Sequence, residues 1–314
     1  MAEKIERKPD VSVVVVIYNI PREAPRTLYS LSAAYQRHIS PDDYEVIVVD
    51  NGSTPPLDLQ AIEGLSDNFR LIRIDQALPS PAQALNRGLA DARGDIIGVM
   101  IDGARMVTPG LLHFARHGAR LYDKAVVATL GWYLGPDFQW RSMESGYDRA
   151  REDALLESIA WPNDGYRLFE IGSMDESSVD GWFKPIAESN ALFLRREFWD
   201  LLGGLDERFD SAGGGLLNLD TYNRALEWPD AQLVVLLSEA TFHQLHGGTN
   251  TNKPLARQHE NWTHWGPQYA SIRGRPYEIA KPRHPPACIG TFPRPMLARF
   301  AQSAQQLEQS PIAP

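Results

Sequence analysis

The sequence predicts an α/β fold built on a doubly wound, mostly parallel sheet. Two apolar runs rich in β-branched residues, 11–18 and 96–101, have no regular polar face, which suits strands buried on both sides. Segments with apolar residues at helical spacing, such as 82–92, separate the apolar runs. Strands that alternate with helices form parallel βαβ units, so an open sheet flanked by helices is expected.

The individual elements follow from spacing and from residues that end helices. The predicted strands occupy residues 11–18, 44–49, 70–74, 96–101, 125–134, 191–194 and 233–237. The predicted helices occupy residues 25–37, 82–92, 109–121, 196–202 and 216–228, and residues 293–306 are expected to form a closing helix or a docking tail. Leu85 and Leu89 share one face of the second helix, and Gly94 ends it. Between 135 and 188 the pattern weakens, and no regular element is predicted.

Composition and charge exclude several classes of function. The chain has 314 residues, 43% of them hydrophobic, and a formal net charge of −9. An acidic chain lacks the general basic face that binds nucleic acid, so no nucleic-acid partner is expected. Its single cysteine, Cys288, excludes an intramolecular disulfide and a cysteine-based zinc site, and its Pro-rich surroundings do not suggest a nucleophile.

The length of the apolar runs bears on where in the cell the protein is expected. None reaches the ~18–20 residues that a membrane span requires. Residues 1–10 are charged and lack the apolar core of a signal peptide. We therefore expect a cytoplasmic protein without a membrane span, for which peripheral attachment to a membrane stays open.

Polar clusters stand where three predicted strands end. They are Tyr18-Asn19, the turn at 50–53, and the stretch from Asp102 to Arg105. Open α/β sheets bind ligands at the carboxyl ends of their strands. The sequence therefore predicts one ligand site at this edge of the sheet.

The order of these motifs resembles family 2 glycosyltransferases of the GT-A fold. The strand ending in Tyr18-Asn19 is followed by one ending in Asp50-Asn51-Gly52-Ser53. Residues 86–95 resemble the helix and turn that precede the aspartate motif of the family, and residues 189–209 resemble its acceptor-side half. The resemblance covers residues 11–249. It implies a Rossmann-like sheet with a donor-binding half at 10–134, an acceptor-binding and catalytic half at 135–250, and a C-terminal acceptor-side extension at 251–314.

The resemblance implies a donor site for a nucleoside-diphosphate sugar. Asp50 matches an aspartate that contacts the base, and Ile17 and Tyr18 match residues that line the same pocket. Asn19, Asn51 and Arg87 belong to the matching motifs and are assigned to the donor site with them. The alternative for the segment 50–53 is a turn without a ligand, because Asp and Asn-Gly are turn formers.

The resemblance also implies a divalent cation, Mn²⁺ or Mg²⁺, that neutralises the leaving diphosphate. GT-A enzymes hold it with an Asp-X-Asp motif, but here only Asp102 remains of that motif. Asp102 could bind the metal with help from other residues, or it could contact the ribose of the donor. Arg105 is a second candidate for the phosphates, because arginine matches phosphate geometry; the alternative is a solvated residue. His243 and His246 follow the last predicted strand, where the family often places a histidine that contacts the metal or the diphosphate. Either could complete the cation site with Asp102.

An inverting transfer needs a base that deprotonates the acceptor hydroxyl. Family members use an aspartate, often in a Glu-Asp pair, at the start of a helix. Alignment back from 223–225 places Asn218 at the base position and Asp220 at the next acidic position. Since Asn218 cannot take a proton, Asp220 is the predicted base, with Asp206 and Asp210 as alternatives. Asp220 could instead be a residue that stabilises the start of the helix.

The implied enzyme is a hexosyltransferase-like protein whose acceptor is a glycan, a cell-surface polysaccharide precursor or a small molecule. Four tryptophans in or near the irregular middle segment are candidates for an acceptor platform or for the core: Trp132, Trp140, Trp161 and Trp182. A nucleotidyltransferase would carry a glycine-rich basic loop after the first strand, and a dinucleotide-dependent oxidoreductase a Gly-x-Gly-x-x-Gly turn; neither is found. A catalytically degenerate GT-A domain, which binds a nucleotide sugar or a partner protein, stays open as an alternative.

Overall fold

The computed structural model describes residues 8–308, which form a mixed α/β structure around a central sheet. Most strand pairs of this sheet are parallel, and helices flank it. Eight strands follow one another across the sheet, formed by residues 287–290, 232–243, 125–134, 192–195, 96–100, 11–17, 44–50 and 69–73 in that order. Two short strands complete it: residues 105–107 pair with 232–243, and residues 172–174 pair with 125–134. The predicted fold class is confirmed.

The strands and helices are bounded as follows. The strands are β1 Val11–Ile17, β2 Tyr44–Asp50, β3 Phe69–Arg73, β4 Ile96–Met100, β5 Arg105–Val107, β6 Ala125–Leu134, β7 Gly172–Met174, β8 Leu192–Arg195, β9 Gln232–His243 and β10 Ala287–Gly290. The helices are α1 Ala24–Ser30, α2 Ala82–Asp91, α3 Leu111–Gly118, α4 Gln139–Glu144, α5 Arg149–Ile159, α6 Arg196–Leu202, α7 Leu217–Glu227, α8 Leu255–Arg273 and α9 Leu297–Glu308. Short 3₁₀ turns occupy Pro41–Asp43, Leu59–Ala61, Gly165–Glu170, Ala212–Gly214 and Arg294–Met296.

The N-terminal half of the sheet follows the prediction closely. Strand β1 pairs in parallel with β2 and with β4, and β2 pairs in parallel with β3. Alternate residues of β1 enter two different cores: Val14 and Val16 on one face, Val13 and Val15 on the other. Burial on both faces explains why this run carries no polar face.

Strand β9 is longer than the predicted strand at 233–237. It continues through Ser238 and Glu239 to His243, and its second part pairs with β5 and, after a bulge, with β6. The two polar residues suggested an end to the strand. The strand continues because the buried Glu239 carboxylate accepts hydrogen bonds from the hydroxyls of Thr108 and Tyr166. His243 is therefore the last residue of a strand rather than part of the loop after it.

The segment 135–188 contains two helices, α4 and α5, that the sequence did not predict. The predicted helix at 25–37 is shorter, ending at Ser30 and followed by turns. After β9, the chain forms the unpredicted helix α8 and then β10, which extends the sheet beside β9. The closing helix expected within 293–306 is present as α9, and Phe300 stacks on Trp182 there.

Among residues 8–308, no helix combines the length and apolar character that crossing a membrane would require. The expected cytoplasmic location and the division at 134 and 250 stay predictions. Residues 1–7 and 309–314, which belong to the predicted N-terminus and C-terminal extension, lie outside the described residues.

Candidate active site

A cleft of about 690 Å³ opens at the carboxyl edge of the parallel strands. That volume lies within the range of small-molecule sites. Its lining comes from the ends of β1, β2 and β4, from the segment before β8, from a glycine-rich loop before α7, from the loop after β9, and from α8. The three polar clusters at the predicted strand ends thus meet around one cleft, although not every residue in them faces it.

The ends of β1 and β2 are joined by side-chain hydrogen bonds. The Asn19 backbone N–H donates to Ser53 Oγ at 2.9 Å, and the Thr54 N–H donates to Asn19 Oδ1 at 2.8 Å. Asn19 has a positive φ of 51°, a conformation that asparagine tolerates better than most residues. Together these contacts fix one wall of the cleft, on which Tyr18 is 59% exposed.

Asp50 organises the turn and does not line the cleft. Its fully buried carboxylate accepts hydrogen bonds from the backbone N–H groups of Ser53 and Leu57. It also forms an ion pair with Arg73, whose Nη1 lies 2.5 Å from Oδ2. Burial acts to raise the pKa of this carboxyl, but these donors outweigh it and the pKa is lowered. These are the contacts of the turn alternative, and the neighbouring Asn51 lines the cleft instead.

Two other predicted donor residues lie away from the cleft. Ile17 is 2% exposed and packs into the core, because its neighbours Val16 and Tyr18 occupy the cleft side of the strand end. Arg87 is exposed on α2 and lies 3.7 Å from Asp91. It points outward because the same helix packs Leu85 and Leu89 onto the sheet.

Asp102, His243 and His246 converge at the floor of the cleft. Asp102 Oδ2 lies 2.9 Å from His243 Nε2 and 3.6 Å from His246 Nε2, and the two Nε2 atoms are 3.1 Å apart. Within the described part of the chain this is the one group of three such side chains close enough to share a metal ion. Gly103 makes the approach possible, because a Cβ there would lie 2.4 Å from the Val16 carbonyl oxygen.

A second layer of side chains orients the two histidines. Gln139 Oε1 lies 2.7 Å from His243 Nδ1 and also accepts from Asn252 Nδ2, so the Nδ1 atom of His243 must donate to it. In neutral His243 the Nε2 lone pair then faces Asp102. Asn252 Oδ1 accepts the backbone N–H groups of His246, Gly247 and Gly248, which holds the loop of His246 in place.

The charges in this cluster suit a cation. Burial lowers the pKa of His243 to about 4, so its ring is neutral near pH 7. Burial also lowers the pKa of His246, but attraction to Asp102 outweighs burial and the net shift is upward. Burial favours the neutral form of Asp102, yet the two histidines hold its pKa well below the usual range. An ionised carboxylate and a histidine lone pair 2.9 Å apart need a proton or a cation between them.

Arg105 lies beside the cluster and is almost fully buried, so the alternative of a solvated residue is wrong. Its Nε is 3.9 Å from Asp102, and its Nη1 is 3.7 Å from Asp175 and 3.4 Å from the Thr241 hydroxyl. Among the described residues, no hydrogen-bond partner meets the buried Nε. Arg105 nevertheless contributes to the lining of the cleft, so its positive charge lies close to the cleft floor.

The predicted base and its alternatives do not line the cleft. Asp220 is fully buried, and its two oxygens are engaged by Arg224 at 2.9 Å and by Arg273 at 2.5 and 2.6 Å. Asp206 pairs with Arg208 and Arg273, and Asp210 accepts from Gln268. Since the arginines occupy both oxygens of Asp220, its geometry disfavours proton transfer from a substrate.

The acceptor side of the cleft contains residues that the sequence analysis missed. Glu188 lines it before β8, next to Asn218 of α7, and Trp262 and Trp265 line it from α8. The four tryptophans proposed for an acceptor platform lie outside the lining, and Trp132 and Trp182 are core residues. The helical spacing of Trp262, Trp265 and Tyr269 is a signal for α8 that Gly266-Pro267 concealed; Glu188 has no comparable signal.

The glycine-rich loop separates the floor of the cleft from these tryptophans. Gly213, Gly214 and Gly215 have φ values of 72°, 88° and 56°, a region that disfavours residues with side chains. A Cβ on Gly215 would lie 3.1 Å from Trp265. Consecutive glycines therefore bring the backbone close to α8 and leave this wall without side chains.

Comparison with protein families supports the resemblance seen in the sequence. Residues 12–103 match the family model described as Glycosyl transferase family 2. The resemblance to family 2 glycosyltransferases is thereby confirmed for this part of the chain, which contains the ends of β1, β2 and β4. Among curated proteins, none matches this sequence.

Solved structures with a similar arrangement include forms of S. aureus TarS. The crystal structure of TarS 1-349 in complex with UDP-GlcNAc aligns with a TM-score of 0.49 and 17% identity, over 83% of this chain and 66% of that one. The crystal structure of TarS 1-349 in complex with UDP aligns with a TM-score of 0.47 and 17% identity, over 83% of this chain and 65% of that one. A further crystal structure of S. aureus TarS aligns with a TM-score of 0.47 and 16% identity, over 83% of this chain and 39% of that one. This chain thus spans less than two thirds of each.

Proposed function

We propose that this protein is an inverting glycosyltransferase that moves a sugar from a nucleoside-diphosphate sugar to a hydroxyl acceptor. The observation that carries the proposal is the Asp102–His243–His246 cluster on the floor of the cleft, next to strand ends that belong to the family 2 match. We place the nucleotide along Tyr18, Asn19 and Asn51 and the diphosphate beside the cluster.

The donor set suits a divalent cation. One carboxylate oxygen and two imidazole nitrogens lie 2.9 to 3.6 Å from one another. In an octahedral site with bonds of about 2.1 Å, neighbouring ligands stand about 3 Å apart. A mixed nitrogen and oxygen set favours Mn²⁺ over Mg²⁺, which prefers oxygen ligands and water. When bound, the ion neutralises negative charge on the departing diphosphate.

The rest of the transfer uses residues of the chain. The acceptor oxygen attacks the anomeric carbon, the bond from that carbon to the diphosphate oxygen breaks, and the diphosphate leaves with the electron pair. The positive charge of Arg105, which lines the cleft beside Asp102, stabilises this developing negative charge. The acceptor enters from the side of Trp262 and Trp265, whose faces suit the C–H surface of a sugar ring.

A thermal-shift screen with UDP, GDP, ADP, CDP and dTDP, each with and without Mn²⁺, tests the proposal. A ligand that binds the native state at about 100 times its Kd stabilises it by about 2.7 kcal/mol, so a melting temperature several degrees higher is expected with one nucleotide and Mn²⁺. Asp102→Asn should abolish the effect of Mn²⁺, and the exposed Asp123→Asn should preserve it. No shift with any nucleotide would contradict the proposal.

Turnover separates an enzyme from a binding domain. Release of nucleoside diphosphate from the corresponding sugar nucleotide, in a series that includes UDP-glucose, UDP-N-acetylglucosamine and GDP-mannose, is expected for the enzyme. The product anomer, read by NMR, reports inversion. A nucleotide that binds without any turnover would favour the catalytically degenerate domain, for which the amide of Asn218 at the family's base position is the supporting feature.

A further inference from the structure

The segment before β8 reaches the same edge of the sheet as Asp102. Strand β8 runs antiparallel to β4, with Leu192 opposite Val99. Residues that precede Leu192 therefore lie beyond the carboxyl end of β4, where the chain continues to Asp102. Glu188 and Asn190 occupy this position and line the cleft. Among the described lining residues, Glu188 and Asp102 are the two carboxylates.

Neutral amides hold the Glu188 side chain. Asn218 Nδ2 donates to Glu188 Oε2 at 2.5 Å, and Asn190 Nδ2 lies 3.5 Å from Glu188 Oε1. Asn218 Nδ2 also lies 3.3 Å from Asn190 Oδ1, so the three side chains form one cluster. Asp220 differs from Glu188 in its partners, because arginines engage both of its oxygens. Glu188 keeps lone pairs for a further donor and is oriented by Asn218.

The surroundings of Glu188 strengthen it as a proton acceptor. Burial raises the pKa of its carboxyl, and attraction to Arg105 offsets only part of that rise. A carboxylate with a raised pKa binds a proton more readily and is still ionised above that pKa. The other acid nearby, Asp175, is buried, accepts from Ser177 and lies 3.7 Å from Arg105.

We propose that Glu188 is the base of the transfer and that Asn218 positions it, an inference that rests on the function proposed above. As the acceptor oxygen bonds to the anomeric carbon, its proton passes to a Glu188 oxygen, and the nucleoside diphosphate leaves with the electrons of the broken bond. The carboxylate missing at position 218 is thus supplied by the neighbouring segment before β8, and the Asn218 amide holds the Glu188 carboxylate in place.

The first test is Glu188→Gln, with the exposed Glu157→Gln as the matched control. Nucleoside-diphosphate release from the donor that the wild type consumes, with water as the acceptor, is measured together with nucleoside-diphosphate affinity. General-base catalysis contributes about 10²–10⁴-fold, so kcat should fall by at least about 100-fold in E188Q, while the affinity stays within about twofold. The kcat/KM of the wild type should rise with pH through the pKa of Glu188, and E188Q should lose that dependence.

A restored base provides the second test. Asn218→Asp in the E188Q background returns a carboxylate to the cluster. The kcat of this double variant should be at least about tenfold higher than that of E188Q, which corresponds to about 1.4 kcal/mol of transition-state stabilisation. Asn218→Ala alone should lower kcat and leave nucleotide affinity unchanged. Rescue by a carboxylate is not expected if Glu188 is only structural.

The outcomes separate the two proposals. A wild type that consumes a donor, together with an E188Q variant of similar kcat, overturns the role of Glu188 and leaves the glycosyltransferase intact. An E188Q variant that loses kcat and nucleotide affinity in parallel, without rescue by N218D, also overturns it. A wild type that binds no nucleoside diphosphate or consumes no donor overturns the enzyme and the base together.

Discussion

Arg273 of α8 makes two contacts with the Asp220 carboxylate, from Nε to Oδ1 at 2.5 Å and from Nη2 to Oδ2 at 2.6 Å. This ion pair joins α7, the helix that follows the glycine-rich loop, to α8, the helix that carries Trp262 and Trp265. The carboxylate that the sequence suggested as a base is thereby a link between two walls of the cleft.

Asp220→Asn should therefore lower the free energy of unfolding and have a smaller effect on the rate of turnover. Breaking a buried ion pair costs about 3–5 kcal/mol, and we expect about 3 kcal/mol because Asp206 still contacts Arg273. Urea unfolding measures the change, and nucleotide affinity measured on the folded protein should be retained. A variant with unchanged stability and abolished turnover would instead support Asp220 as the base.

Asn252→Ala should weaken cation binding although Asn252 is not a ligand. Its Oδ1 accepts three backbone N–H groups around His246, and its amide contacts Gln139. Loss of such a supporting side chain typically lowers metal affinity about 10–100-fold. Calorimetric titration with Mn²⁺ measures the effect. Asn261→Ala, which removes contacts to Thr249 and Asn250 of the same loop, serves as control and should bind Mn²⁺ as the wild type does.

Glu239 should make stability depend on pH. Burial raises the pKa of this carboxyl to about 7, although Thr108 and Tyr166 donate to it. The native state then holds a proton that the unfolded chain, with a pKa of about 4.3, has released. This contribution is complete below the unfolded pKa and is lost as pH rises through about 7. Wild type should therefore lose stability relative to Glu239→Gln as pH rises from 5.5 to about 7, and the difference should level off above that pH.

The measurement is the difference in unfolding free energy between the two proteins at several pH values. The difference between wild type and Glu157→Gln, an exposed residue, should stay flat over the same range. A flat difference for E239Q as well would show that Glu239 keeps an ordinary pKa in the folded protein.

Trp262→Ala should weaken saccharide binding on the acceptor side. Trp262 is 40% exposed in the lining, beside the more deeply buried Trp265. Saturation-transfer NMR with cellobiose, maltose and diacetylchitobiose, in the presence of the bound nucleotide, measures the affinity. We expect a loss of about tenfold, or 1.4 kcal/mol, and a smaller loss in Trp262→Phe. Trp140→Ala, outside the cleft, is the control; equal affinities in W262A and W140A would contradict the platform.

Local patterns were sufficient for the N-terminal half of the fold and for the floor of the site. Strand β1 and its neighbours are apolar on both faces, and that composition is specific to buried parallel strands. Asp102 and Arg105 were identified because they follow such a strand. The sequence also indicates both histidines, although it predicts a shorter strand than the one that carries His243. From the sequence alone, a contact of Asp50 with the nucleotide base cannot be distinguished from a turn, because Asp-Asn-Gly is compatible with both.

The sequence is enough to predict the α/β class, the order of the early elements, and the edge of the sheet at which polar residues collect. Which carboxylates face the cleft depends instead on how distant segments pack against one another. Asp220 and Glu188 carry the same kind of group, but arginines from α7 and α8 engage Asp220, while amides hold Glu188 at the lining. The physical reason is that burial and pairing depend on contacts between segments far apart in the chain, which local periodicity does not encode.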